Sequence, residues 1–122
     1  MHLLAAQPGL IEDGSEAVDL GQTPGDIVIL SAADSEIAAL AAAQERLAAN
    51  DPQVPRIRLA NLMQLGHNMS VDLYLDAVID GAKLVIVRLL GGRGYWPYGV
   101  EQITARCRAC NIQLAWLPGD DH

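Results

Sequence analysis

The 122-residue sequence contains no phenylalanine, one lysine and two cysteines, and each scarcity excludes a class of protein. Lys83 stands beside seven arginines, while 15 acidic residues bring the formal net charge to −7. A surface of that sign cannot neutralise phosphates, so nucleic acid is excluded as a partner. Cys107 and Cys110 are too few for a disulfide framework and fit a reducing compartment. No apolar run approaches the ~20 residues of a membrane-spanning helix. The N-terminus also lacks the basic start and small-residue cleavage site of a secretory leader. The expectation is a soluble, cytoplasmic protein that does not enter a membrane.

With aromatics at 4% and hydrophobic residues at 51%, the core must be built from alanine, leucine, valine and isoleucine. Such side chains suit helices packed closely on a sheet. The length fits a single domain spanning 1–122, and at this size roughly two-thirds of the unfolded surface can be buried.

Residues 84–90 hold six Leu, Val or Ile and one Arg, the composition of a strand covered on both faces of a parallel sheet. Shorter apolar runs at 2–7, 26–31, 56–62 and 112–117 read as four more strands. Between 8 and 26, four glycines, two prolines and five carboxylates predict a loop or at most a single helical turn around Ser15–Leu20, although a parallel crossover normally carries a helix. After Asp34 or Ser35, either of which can cap, Ile37, Leu40, Ala41, Leu47 and Ala48 recur at helical spacing up to Asn50. A second helix is predicted from near Ser70, with Asp72 in its first turn against the helix dipole and Val71, Leu75, Val78 and Ala82 as its stripe. The third covers 100–111 and ends on Asn111, a good left-handed residue. Its stripe, Val100, Ile103, Cys107 and Cys110, turns both thiols to the core. Five strands and three helices predict an α/β, flavodoxin-like or Rossmann-like layered domain with a mostly parallel five-stranded sheet.

Ligands of such sheets sit outside the carboxyl ends of the strands. That directs attention to 91–99, GGRGYWPYG, where the central strand stops. Gly91, Gly92 and Gly94 allow a ligand to approach main-chain N–H groups. Arg93 with Tyr95, Trp96 and Tyr98 sets a cation beside flat amphipathic rings, which suits a carboxylated planar ligand or a protein partner. The same rings could instead seal the end of the sheet or pack on a neighbouring domain. Nucleotide binding is not supported, because Pro97 stands where the dinucleotide fingerprint needs its third glycine and no Gly-Lys-Ser/Thr occurs. Arg88 interrupts its strand and requires a carboxylate, from within the fold or from an anionic ligand.

His67 follows the third strand on the same rim. It is either a metal ligand or general base, or a loop histidine bonded to backbone. The Cys107-x-x-Cys110 spacing has no second pair to complete a zinc site, and it closes a helix where a redox pair would open one. Nucleophile elbows of the Gly-x-Ser-x-Gly kind are absent.

Three blocks are specific beyond their chemistry: SAAD at 31–34, NLMQLGHNMSVD at 61–72 and LLGGRGYWPYG at 89–99. They resemble the amino-terminal region of the cobaltochelatase large-subunit family, and the likeness runs over nearly the whole chain. The resemblance implies ATP-dependent insertion of cobalt(II) into hydrogenobyrinic acid a,c-diamide in aerobic cobalamin biosynthesis. It also implies kinship with the tetrapyrrole-binding subunit of magnesium chelatase, and separate ATPase and integrin-like partner subunits. ATP then belongs to the partners and cobalt(II) is substrate, so this segment needs no cofactor of its own. No catalytic residue carries over. Two roles follow. In the first the segment lines the corrinoid site, Arg88 and Arg93 pairing with macrocycle carboxylates, Tyr95, Trp96 and Tyr98 stacking on the ring, and His67 handling cobalt. Alternatively it is a docking module for other domains of the same polypeptide or for the ATPase subunits. Members of the family are much longer, and Pro118-Gly119-Asp120-Asp121-His122 comes where another helix is expected.

Overall fold

A computed structural model describes residues 19–89 and 93–118, the side chains of Arg93 and Pro118 excepted. Four runs rich in β-branched and leucine side chains are strands: β1 (Ile27–Ser31), β2 (Ile57–Asn61), β3 (Leu84–Leu89) and β4 (Gln113–Pro118). All pairings are parallel, in the order β2-β1-β3-β4. Four strands replace the expected five, because the run at 2–7 lies outside the described residues.

Register decides which side chains share a face. Val28 lies beside Val85, which lies beside Leu114, and Leu30 beside Val87, which lies beside Trp116. Val28, Leu30, Val85 and Val87 are wholly inaccessible to solvent. Alternation sends Ile27, Ile29, Leu84 and Ile86 to the other face, where they are only half-buried. The double burial expected of 84–90 is therefore complete on one side only.

Helices α1 (Asp34–Asn50), α2 (Asn68–Ala77) and α3 (Pro97–Ala109) make the connections. Going from β1 to β2 the chain moves one way along the sheet, and from β2 to β3 to β4 it moves the other way. Right-handed crossovers then put α1 on one face and α2 with α3 on the opposite one. The packing agrees, since α2 lies against α3 while α1 touches β1 and β2. Val71, Tyr74 and Leu75 of α2 and Val100, Ile103 and Cys107 of α3 close the inaccessible face. Arg106 of α3 donates to Asp80 (2.6 Å) and Asp76 (3.1 Å), and those two bonds, the Asp80 one first, hold its pKa above the ordinary value.

Several expectations about the helices are corrected. The cap of α1 is Ala33, not Asp34 or Ser35; the Ser31 hydroxyl accepts the Ala33 N–H at 3.1 Å. No residue of α1 is fully buried, and Leu47 is 54% exposed. α2 starts two residues early, at Asn68, which takes Asp72 out of the first turn. α3 starts at Pro97, where a residue without an N–H costs nothing. Asn111 is left-handed as expected (φ 58°). The helix ends at Ala109, however, so Cys110 falls off the stripe and is exposed while Cys107 is buried.

The outer edge of β2 is partly covered by side chains. Its outward main-chain groups are those of Ile57, Leu59 and Asn61, since Arg56 C=O faces β1 and accepts from Ile27 N–H. Gln22 Nε2 donates to Leu59 C=O at 2.8 Å, and Gln22 Oε1 accepts from the Tyr74 hydroxyl at 2.7 Å. With its amide oriented to suit its neighbours, Gln44 donates to Ile57 C=O (3.3 Å) and accepts from Ile57 N–H (3.0 Å). Arg58 fastens the strap that carries Gln22, donating to Thr23 C=O at 2.7 Å and Thr23 Oγ1 at 3.0 Å.

Candidate functional site

The carboxyl rim of the sheet is formed by Ser31 to Asp34 after β1, a 3-10 turn at Leu62–Leu65 after β2, and the glycine loop after β3. Gly91 and Gly92 lie outside the described residues. From Arg93 the chain makes a 3-10 turn through Tyr95 and enters α3.

Trp96 turns inward. Its indole is 3% exposed, and Nε1 donates to Leu65 C=O at 2.9 Å, joining the loop after β3 to the turn after β2. Gly99, one helical turn on, is the only residue type that fits there, because a Cβ would lie inside that indole. Tyr98 donates its hydroxyl to Asp72 of α2 at 2.8 Å, and this bond to a carboxylate raises its pKa. His67 caps α2: Nδ1 accepts from Met69 N–H at 3.0 Å, which fixes an acceptor nitrogen on that side of the ring. Arg88 lies at the α1 face of the rim with its side chain 44% exposed, not buried as its strand suggests, and pairs with Glu36. Ser31 donates to the other oxygen of the same carboxylate at 2.6 Å.

Of the eight residues proposed from the sequence for a ligand, Trp96, Tyr98 and Arg88 thus have partners within the fold. Gly94 and Tyr95 remain at the surface, Gly94 exposed and Tyr95 half-buried. Gly94 opens onto a groove of about 570 Å³ along α3, lined also by Pro97, Val100, Glu101, Thr104 and Arg108. No group of three His, Cys, Asp or Glu side chains able to hold a metal ion occurs among the described residues. No described helix is long and apolar enough to cross a membrane.

Sequence periodicity and motifs single out neither Glu36 nor Gln22, and Asp34 only as a helix cap. Asp34 accepts from Asn61 Nδ2 at 2.7 Å, tying α1 to the end of β2, while Asn61 Oδ1 accepts Met63 N–H at 2.8 Å. Asp34 and Glu36 are polar and lie just past the end of β1, which is the signal that could have marked them, whereas Gln22 in the strap before β1 carries no such signal. Chemically the rim is a set of satisfied bonds between loops, without a nucleophile facing a base among the described residues.

What these observations define is a parallel α/β layer whose carboxyl rim is knitted together by its own side chains. No family model matches the chain, and no solved structure matches it. Two curated proteins do. The chain is 50% identical over 121 residues to the aerobic cobaltochelatase subunit CobN of a Sinorhizobium species. It is 43% identical over 121 residues to the protein of the same name from Pseudomonas aeruginosa. Each match covers 99% of this chain and 9% of the relative. Identity of this order over the whole length places the chain in the CobN family, as a segment spanning about one-eleventh of the relatives it matches.

Proposed function

We propose that the chain serves as the amino-terminal α/β module of a cobaltochelatase large subunit, and that it is a docking module, not a catalytic one. In this reading the whole subunit inserts cobalt(II) into hydrogenobyrinic acid a,c-diamide, with ATP hydrolysed on ATPase subunits and an integrin-like subunit completing the complex. The observation that carries the assignment is the 50% identity across the chain to a protein named as that subunit. What supports a non-catalytic role is the state of the rim. Trp96 is sealed and bonded to Leu65, His67 is spent on a helix cap, and Arg88 is held by Glu36. Stacking on a macrocycle would require Trp96 to leave its pocket and strand the Leu65 carbonyl.

The test is cobalt insertion by the full-length subunit with its partners. Arg93→Ala and Tyr95→Ala are expected to leave kcat and the KM for the corrinoid within about twofold. A tenfold rise in that KM, with thermal stability unchanged, would instead make the loop a wall of the corrinoid site.

A further inference from the structure

The far edge of the sheet is unfinished. Gln113 N–H donates to Lys83 C=O of the β3 side, so alternation turns the N–H and C=O of Leu114 and Trp116 away from the sheet. No described segment pairs with that side of β4. Pro118, the next outward position, has no N–H, which limits a partner strand to the stretch before it.

Both faces of β4 are open as well. On the α3 face, a groove of about 520 Å³ runs along the strand, lined by Thr104, Cys107, Arg108, Ile112, Leu114 and Trp116. The indole of Trp116 is only half-covered although its neighbour in register, Val87, is completely buried. On the α1 face, Leu117 is 47% exposed beside a strip of half-buried Leu84, Ile86 and Ala115 that no described helix covers. Parallel sheets are otherwise covered on both faces. β2, by contrast, has the C=O and N–H of Ile57 met by Gln44 and the C=O of Leu59 met by Gln22.

We infer that β4 is an interior strand of the complete subunit, and that the polypeptide following residue 122 adds a fifth parallel strand at its open edge, crossing through the groove beside α3. Two observations select this occupant. The matched relatives are about eleven times longer than the chain, so ample polypeptide lies outside it. The direction also fits: β4 delivers the chain to the carboxyl rim, and a right-handed crossover from there to a strand beyond β4 must run on the face occupied by α2 and α3. That is the face where the groove lies. The inference rests on the reading that this segment opens a longer subunit; it does not depend on what that subunit inserts into its substrate.

The test uses the full-length subunit. A photo-crosslinking residue, p-benzoylphenylalanine, replaces Thr104 in the groove, and mass spectrometry identifies the attached peptide. The expected product is an intramolecular link to a peptide beyond residue 122. Hydrogen exchange supplies the second readout, with the amides of Leu114 and Trp116 slowed at least ~100-fold relative to an open peptide. A link to residues 1–18, or a product of doubled mass from a second copy, would overturn the inference. So would fast exchange at both amides. Each result is read without reference to cobalt insertion, so an inactive but crosslinked subunit would contradict the proposed function and leave this inference standing.

Discussion

The two edges of the sheet are finished in opposite ways. At β2 the outward carbonyls of Ile57 and Leu59 and the amide of Ile57 are met by glutamine side chains, one from the strap before β1 and one from α1. At β4 the same kind of groups face away from the sheet with an aromatic and two leucines around them. An edge strand is a template for another strand unless something blunts it. The glutamines blunt β2 without adding a strand, and that is why we assign growth of the sheet to β4. The contrast also separates the two tryptophans, since Trp96 is locked into the rim and Trp116 waits at the open edge.

The largest effect expected is at Trp96. Trp96→Ala removes a buried indole and leaves the Leu65 carbonyl without its donor, a loss of ~3–5 kcal/mol. In the same 122-residue chain, Trp116→Ala should cost about 1 kcal/mol or less, because its ring is already half in water. Urea unfolding of both variants measures the difference. Equal costs would mean that Trp116 is covered within this chain and would break the contrast between the edges.

Gly99→Ala comes next, at ~1–3 kcal/mol, since the new methyl group meets the Trp96 ring. Combined with Trp96→Ala the penalty should largely vanish, as the ring it strikes is gone. Additive costs in that double variant would show that Gly99 is needed for its backbone and not for the indole.

Smaller again are the changes that uncover more of the β2 edge. Tyr74→Phe and Gln22→Ala each remove the bond between them, and Gln22→Ala also uncovers Leu59 C=O. About 1 kcal/mol is expected from each, with the pair costing less than the sum because one bond is shared. Light scattering sharpens the comparison: uncovering Leu59 should promote self-association through β2, which the parent glutamine prevents.

Much of the layer was legible because apolar runs of strand length alternate with helical stripes. All four described strands fall within one residue of runs read from the sequence, and Asn111 takes the left-handed conformation that its side chain predicts. The failures have physical causes. Periodicity alone could not tell that α3 stops before Cys110, since a helix end depends on its final carbonyls and not on the stripe. Composition made 84–90 look buried on both faces, whereas one face awaits a cover that the described residues do not provide. The candidate site was legible only as a place. The aromatic cluster marks the rim correctly, yet whether an indole faces outward or inward is decided by Leu65 C=O, 31 residues earlier in the chain, and no local pattern contains that contact.

The smallest effect expected is a pH dependence that also reads the groove beside β4. Cys107 lines that groove, and burial, aided by the nearby Cys110, pushes its thiol from an ordinary value of 9 up to about 11. Between those values the unfolded chain has released the proton and the folded chain retains it. Stability contributed by the neutral thiol is therefore complete below pH 9 and is lost as pH rises toward 11. The urea midpoint should fall between pH 8.5 and 10, roughly the range that isolates Cys107, because the Tyr74 hydroxyl, also raised by burial, adds its own loss only above the ordinary tyrosine value. Cys107→Ala should flatten the slope, whereas Cys110→Ala should leave most of it, because burial is the larger cause. In the full-length subunit a filled groove would dry the thiol further, so alkylation of Cys107 should be slower there than in the 122-residue chain at the same pH. Equal rates would return β4 to being an ordinary edge.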